Sequence, residues 1–262
     1  MTDFPAPPAA PPRTRRFSPF LALFVVFVVA GAALVVTGVL NVLGGYSTSR
    51  IGGRSMEATI AAGDPVVLHW AGSHEIHRGD LVSFQADAFP DMPPGYYYIK
   101  RVIAVGGDRV VCCGPDNRLQ VNGKTVTEPY LDPAVSLSAG AYEFATQVPP
   151  GSVFVANDRR DITDDSREYV YDPGAGSVPL SKVDGVVVAK GTIFSSVTLK
   201  PTTAFTDAGL PGAATADTGL TTDRYLAAGG AALFLLGFIG LIVTVARSGG
   251  RRRRAAEGPP MR

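Results

Sequence analysis

The stretch YYIKRVIAV at positions 97–105 is the part of the sequence that most constrains the fold. Tyr, Ile and Val are enriched in β-strands, and successive side chains of a strand point to opposite faces of the sheet. Lys100 therefore stands inside an apolar strand in which alternate side chains face inward. Two interpretations follow for this lysine: either its amine is buried, or its long stem reaches the surface beside Arg101.

Short strand-like runs surround this stretch. They occupy residues 64–70, 80–84, 109–111, 118–121, 152–156 and 185–189. Asn122-Gly123 predicts a type I′ hairpin turn, because both central residues of that turn need positive φ. No long segment between residues 45 and 200 has the period of a helix. The middle of the chain is therefore predicted to be mainly β, folded into several coiled antiparallel sheets.

Two charge-free apolar segments flank the β-rich region, at residues 20–43 and 225–246. A membrane helix needs about 20 such residues, so both are predicted to be transmembrane α-helices. Ala30-Gly31-Ala32 leaves a cleavable secretory signal as an alternative for the first, but the apolar run continues further than a signal core needs. A buried core helix fits the second poorly, because such a helix rarely lacks a polar face over this length.

The placement of arginine predicts the orientation of the chain. Arg15 and Arg16 precede the first span, and Arg247 with residues 251–254 follows the second. The positive-inside tendency then places both termini in the cytoplasm and the middle outside. The predicted organisation is a disordered basic cytoplasmic tail (1–18), a transmembrane helix (19–44), an extracytoplasmic β-rich domain (45–200), a flexible linker (201–223), a second transmembrane helix (224–246) and a basic cytoplasmic tail (247–262). The net charge of +1 predicts no nucleic-acid partner.

Ser55 and Lys100 are the candidate reacting residues. The sequence GGRSMEATI at 52–60 places Ser55 in a glycine-rich turn, where serine commonly only bonds the local backbone. A serine hydroxyl is a poor nucleophile and needs a base within hydrogen-bond reach. Lysine, with a pKa of about 10.4, can serve once burial lowers that pKa, and a fall of about 3 units corresponds to roughly 4 kcal/mol.

Histidine and cysteine offer weaker candidates. His69, His74 and His77 are unevenly spaced and lack an accompanying carboxylate pattern, so no metal and no cofactor are predicted. Cys112 and Cys113 are adjacent in a segment predicted to lie outside the membrane, where a disulfide is permitted although bridging neighbours is strained. Neither cysteine has a paired histidine motif, so neither is predicted to be catalytic.

Three further motifs give the serine turn its context. They are GDLV at 79–82, the stretch at 97–108 and NDRRDITDDSR at 157–167. Together with the turn at 52–60, and in this order, they resemble the successive boxes of bacterial type I signal peptidases, which are membrane-anchored Ser/Lys serine peptidases of the S26 family. The Ala, Gly, Val and Arg content is typical of an actinobacterial source.

The resemblance covers residues 52–167 and implies a fold and a mechanism. The fold is a coiled antiparallel β-sheet catalytic domain between two transmembrane α-helices. Ser55 is the implied nucleophile and Lys100 the implied general base, a known variant of triad logic. The Ser55 backbone N–H is the natural donor to the oxyanion that forms during the reaction.

The resemblance also implies roles for supporting residues. Thr163 stands where relatives carry a hydroxyl that helps to orient the lysine. Asp158 with Arg101, and Asp165 with Arg167, resemble paired charges that brace the site, because arginine forks onto a carboxylate in fixed geometry. The alternative for this segment is a solvated loop of mixed charge.

Five apolar or aromatic side chains match positions that line shallow substrate pockets in the family: Ile51, Met56, Ile60, Tyr98 and Ile99. Small pockets would favour Ala at the positions one and three before the cut. The alternative is that these residues are ordinary core.

Four positions depart from the family pattern. Gly53 replaces a serine that some relatives use as a second oxyanion donor, and Arg54 replaces a small residue. Ala58 stands in place of a proline, and Asn157 in place of a glycine. These changes remove no reacting group.

The expected function is a membrane-bound signal peptidase that cleaves exported preproteins on the outer face of the cytoplasmic membrane. Its expected partners are the preproteins and the lipid bilayer. One alternative is a self-cleaving LexA-like Ser/Lys peptidase, against which the two spans and the missing DNA-binding module argue. The other is an inactive membrane-anchored binding or scaffold protein with the same fold, for which Gly53 and Ala58 leave room.

Overall fold

The structure is a computed structural model that describes residues 19–73, 75–132, 135, 142–212 and 214–256. The chain divides into two compact units. One consists of residues 1–39 with 223–262, and the other of residues 40–222. The predicted basic tail at 1–18, His74 and the last six residues lie outside the described part.

The helices are α1 (Pro19–Gly45), α2 (Ala204–Asp207) and α3 (Gly219–Ala256). The strands are β1 (Tyr46–Arg50), β2 (Pro65–Trp70), β3 (Leu81–Gln85), β4 (Tyr97–Val105), β5 (Arg109–Cys112), β6 (Gln120–Val121), β7 (Lys124–Thr125), β8 (Phe144–Gln147), β9 (Ser152–Ala156), β10 (Val178–Pro179), β11 (Val183–Gly191) and β12 (Ser196–Thr198). The predicted fold class is confirmed: antiparallel sheet dominates, with one long apolar helix towards each end of the chain.

Both long helices are long and apolar enough to cross a membrane, over Pro19–Gly45 and Gly219–Gly249. Within their unit the backbones approach closely at glycines. A Cβ added to Gly31 of α1 would lie 2.5 Å from Phe234 N, and one added to Gly230 of α3 would lie 2.8 Å from Gly31 O. Small residues at helix contacts permit this approach in the absence of a hydrophobic driving force between lipid-embedded helices.

The larger sheet has the strand order β1-β2-β11-β3-β4-β9-β10, with β12 added on β11. The smaller sheet has the order β7-β6-β5-β8. All of the pairings are antiparallel. The predicted hairpin at Asn122-Gly123 is confirmed, since it joins β6 to β7 with φ of +53° and +76° at the two central residues.

Strand β4 positions the candidate site. It pairs with β3 on one side, where Val82 faces Lys100, and with β9 on the other, where Ala156 faces Arg101. The register with β9 shifts between Val102 and Ala104. Burial rises along the strand, from an exposed Tyr97 at its start to buried residues from Lys100 to Ala104, and Val105 at the end is half-buried.

The segment at 201–223, predicted to be a flexible linker, is instead packed where the structure describes it. It contains α2, and Phe205 and Leu210 are buried in the same apolar cluster as residues of β5 and β9. Arg78 Nη1 also donates to Pro211 O at 2.5 Å. The Ala, Gly, Thr and Pro content suggested flexibility, but the buried side chains of Phe205 and Leu210 and the bond from Arg78 hold the segment in place.

One carboxylate, that of Asp217, bonds to residues near both ends of the sheet unit, which comprises residues 40–222. Tyr46, the first residue after α1, donates its hydroxyl to Asp217 Oδ1 at 3.2 Å, and the N–H of Gly219, the first residue of α3, donates to the same oxygen at 2.7 Å. His69 Nδ1 lies 2.5 Å from Asp217 Oδ2. The two ends of the unit are thus held together by Asp217.

Candidate active site

Ser55 lies in a tight turn that is anchored by its apolar residues. Ile60 N donates to Met56 O at 2.8 Å, and both side chains are fully buried. At the base of the turn, Gly63 N donates to Ile51 O at 2.8 Å. Ser55 itself is half-buried, at the edge of an exposed Gly-Gly-Arg segment. The buried side chains of Met56 and Ile60 thus anchor the turn, and Ser55 stays partly accessible.

Ala58 has a backbone conformation that proline cannot adopt. Its φ is +88°, a region that non-glycine residues rarely occupy. Proline holds φ near −65° and cannot adopt this conformation. The backbone of this turn therefore differs in conformation from that of a turn with proline at position 58.

Lys100 is buried. Its residue exposure is 0%, so the alternative of a lysine that reaches the surface is wrong. Its Nζ lies 4.6 Å from the centroid of the Tyr98 ring. Burial lowers the pKa of Lys100, while the neighbouring Asp164 carboxylate opposes that change by favouring the ammonium form.

The partner of the Lys100 amine is Asp164. Lys100 Nζ donates to Asp164 Oδ1 at 2.9 Å, and Asn157 Nδ2 donates to the same oxygen at 2.7 Å. The structure does not bring the predicted Thr163 to the amine: Thr163 is half-buried, and no hydrogen bond joins its hydroxyl to Lys100 in the described part of the chain. Asp164 could not be singled out from the sequence, where its one signal was membership of a charged run.

Two arginine–carboxylate pairs fix the loop at 157–167, called here the site loop. Arg101 meets Asp158 through two bonds of 2.7 Å, from Nε and Nη2. Arg167 meets Asp165 through two bonds of 2.9 Å, again from Nε and Nη2. All four residues are buried, so this segment is not a solvated charged loop.

Further contacts join the site loop to the serine turn. Arg159 N donates to Ser55 O at 2.9 Å, and Arg159 Nη1 donates to Glu57 Oε2 at 2.7 Å. The Thr59 hydroxyl donates to Asp158. The loop therefore contacts both candidate reacting residues, Ser55 through its backbone and Lys100 through its amine. In the described part of the chain the Ser55 hydroxyl and the Lys100 amine share no hydrogen bond, a looseness that unliganded enzymes commonly show.

The predicted pocket residues separate into two groups. Ile51, Met56 and Ile60 belong to one apolar cluster, and Ile99 packs against it. Tyr98 lies elsewhere, with its ring edge-on to Phe84 at 6.1 Å. Met56 and Ile60 expose no surface, so a ligand reaches them only if the turn moves.

The histidines and cysteines lie in other surroundings. Within the described residues no group of His, Cys, Asp and Glu is arranged to hold a metal ion. His69 pairs with Asp217, as described above. Cys112 and Cys113 form a disulfide, which the sequence left open.

Comparison with known proteins places the chain in a family. The pattern described as signal peptidase, peptidase S26, matches residues 20–191. Among similar proteins, signal peptidase I of Mycobacterium tuberculosis is 41% identical over 99 residues, which are 33% of this chain and 33% of that protein. Signal peptidase I of Bacillus caldolyticus is 31% identical over 155 residues, 54% of this chain and 77% of that protein. The chain belongs to the signal peptidase family, peptidase S26.

A solved structure is also similar. The crystal structure of a signal peptidase I from Enterococcus faecalis V583 is 28% identical, with a TM-score of 0.35, and the match covers 44% of this chain and 97% of that one. The chain spans a third of the length of its Mycobacterium relative.

Proposed function

We propose that this protein is a membrane-bound serine endopeptidase that removes N-terminal signal peptides from exported preproteins. The observation that supports it most strongly is the buried Lys100 amine held by the same loop that binds the Ser55 turn. A buried lysine with a lowered pKa is a usable base, whereas a solvated one stays protonated near neutrality.

The proposed reaction proceeds through an acyl-enzyme. The neutral Lys100 amine accepts the Ser55 proton while the hydroxyl oxygen attacks the scissile carbonyl. The resulting ammonium then gives that proton to the departing amine, and water hydrolyses the ester. The Ser55 N–H is the first proposed oxyanion donor; because Gly53 has no side chain, the second is a backbone group or a water.

The supporting residues are proposed to hold Ser55 and Lys100 at fixed positions relative to each other. Arg101 and Asp158 join β4 to the site loop, and Arg159 joins that loop to the serine turn. Thr163 stays a predicted orienting residue for the Lys100 amine. The Asp165–Arg167 pair stabilises the conformation of the site loop.

Substrate choice is proposed to depend on the small space above the apolar cluster. Ile51 and Ile99 border the serine turn, while Met56 and Ile60 form its buried floor. Tyr98 lies over the amine. The resemblance to the family implies shallow pockets at these positions; such pockets would reject large side chains sterically and favour cleavage after Ala-X-Ala sequences.

The two long helices support a membrane location. With the arginine-rich flanks on the terminal sides, the proposed topology is multi-pass, with the sheet unit on the extracytoplasmic face and both termini in the cytoplasm. Protease treatment of spheroplasts tests this: the segment at 45–200 should be cut from outside. Protection of that segment until the cells are lysed would reverse the orientation.

Cleavage of a purified preprotein with an Ala-X-Ala site tests the activity. Ser55→Ala and Lys100→Ala should each abolish cleavage, whereas the controls Ser49→Ala and Lys200→Ala should retain it. Retained cleavage by either dyad variant would refute the Ser/Lys assignment. Absence of cleavage by the unmodified chain would favour the binding or scaffold protein, and cleavage of the chain itself alone would favour the self-cleaving peptidase.

A further inference from the structure

Within the described residues, the contacts of the Lys100 amine do not include a hydrogen bond to the Ser55 hydroxyl. An ammonium has three protons to donate. In the described part of the chain its hydrogen-bond acceptor is Asp164 Oδ1 at 2.9 Å, and the Tyr98 ring covers another side at 4.6 Å. The amine is thus engaged by a charged acceptor before any substrate arrives.

Asn157 fixes the Asp164 carboxylate in this place. Asn157 is fully buried, and its Nδ2 donates both to Asp164 Oδ1 at 2.7 Å and to Ile162 O at 2.9 Å. A flipped amide would turn its oxygen towards two acceptors, so this orientation is required. The requirement leaves Asn157 Oδ1 buried without a hydrogen-bond partner among the described residues, at a cost in stability. The chain bears that cost to hold Asp164.

We propose that Asp164 is a positioning residue that acts as a latch: in the free protein its carboxylate holds the Lys100 ammonium, and it must swing away before the amine can accept the Ser55 proton. This inference rests on the proposed function. It assigns to Asp164 and Asn157 a role that the motifs did not reveal.

Of the charged groups near Lys100, Asp164 has the largest effect on the pKa of the amine. Asp165 and Arg167 also face the amine, but they pair with each other through two bonds, so their effects oppose. Tyr98 contributes a ring face. Among the described residues, Asp164 is the carboxylate that is hydrogen-bonded to the Lys100 amine, and its charge raises the pKa that burial lowers.

Release of the latch is possible because Asp164 lies at the rim. Its side chain is 39% exposed, whereas that of Lys100 is 1% exposed. A bound peptide that takes the place of Asp164 would turn the carboxylate into solvent. The ammonium, left in apolar surroundings without its counter-charge, then gives its proton to solvent and becomes the neutral base.

Direct titration of Lys100 tests the latch. The chain has five lysines, so the full-length protein in detergent, labelled with ¹³C at lysine Cε, gives few signals, and Lys100→Met assigns the one of interest. In Asp164→Asn the titration midpoint of Lys100 should fall by about one pH unit, the low end for loss of an opposite charge at contact distance. Asn157→Ala, which frees the carboxylate, should move the midpoint in the same direction by less.

The matched control is Asp161→Asn. Asp161 belongs to the same loop and carries the same charge, but pairs with Arg159 on the surface. Its removal should leave the Lys100 midpoint within about 0.3 pH units, since exposed charges are well screened. A shift in the control as large as that in Asp164→Asn would reduce the latch to a general charge effect and overturn it.

Cleavage assays give the second readout. If the proposed function holds, the acid limb of the kcat/KM profile should move with the midpoint, so that kcat/KM well below the wild-type midpoint rises about tenfold per unit. An unmoved midpoint and acid limb in Asp164→Asn would overturn the latch while cleavage itself persists. A moved midpoint in a chain that cleaves nothing would retain the Asp164–Lys100 latch and refute the peptidase.

Discussion

Replacing Asp158 by asparagine leaves the Arg101 guanidinium buried without its counter-charge. The two side chains are 0% and 5% exposed, and two bonds of 2.7 Å join them. Removing one partner of such a buried pair costs about 3–5 kcal/mol, because the remaining charge stays desolvated. For a unit of this size, each kcal/mol lowers the melting temperature by about 2–4 °C, so Asp158→Asn should melt roughly 6–20 °C lower.

Thermal unfolding of the full chain in detergent, followed by circular dichroism, measures the effect. Asp161→Asn is the matched control: it also removes a carboxylate from the site loop, but one paired with Arg159 at the surface, and it should melt within about 2 °C of the unmodified protein. The double variant Arg101→Met/Asp158→Leu buries no charge and should recover most of the loss. A melting temperature for Asp158→Asn indistinguishable from that of Asp161→Asn would refute the reasoning.

Three further predictions concern Lys100, the serine turn and the helices. Folding lowers the pKa of Lys100, so the unfolded chain binds more protons than the folded one. Lys100→Met should therefore raise the melting temperature most at neutral pH. If this gain in melting temperature does not shrink above about pH 10, the prediction is contradicted. Ala58→Gly should leave the melting temperature equal or higher, whereas Ala58→Pro should lower it, because φ is +88° there; the reverse order in calorimetry would count against the turn geometry. Gly230→Leu should weaken packing against α1, since its Cβ would lie 2.8 Å from Leu34 Cβ, whereas a Cβ at Gly229 would meet no other described residue within 4 Å outside the local helix. Equal proteolysis of Gly230→Leu and Gly229→Leu in detergent would be inconsistent with this contact.

Much of the fold could be predicted because its signals are local. The strand at 97–105, the Asn122-Gly123 turn and the two apolar helices each depend on neighbouring residues, and the structure has all of them. The linker was different. Its composition suggested flexibility, but burial of Phe205 depends on the distant strands that form its apolar cluster.

The site was only partly predictable for the same reason. Ser55 and Lys100 could be singled out from motifs, but the partner of the amine could not. Asp164 is 64 residues from Lys100, and nothing in the run DDSR tells which of its two carboxylates contacts the Lys100 amine. That choice is made by Asn157 and by the Arg167 fork on Asp165, and these contacts exist only after the loop has folded.

Asp217 holds the two ends of the sheet unit close together, so the unit can be treated as a transferable segment. Because Tyr46 and Gly219 both bond to this one carboxylate, the chain enters and leaves the unit at a single point. Segments whose ends meet in this way can be cut out and inserted elsewhere without stretching either junction. Residues 40–222, closed by a short connector or grafted between two unrelated helices, should therefore keep their two sheets, and with them whatever chemistry the serine and the lysine perform.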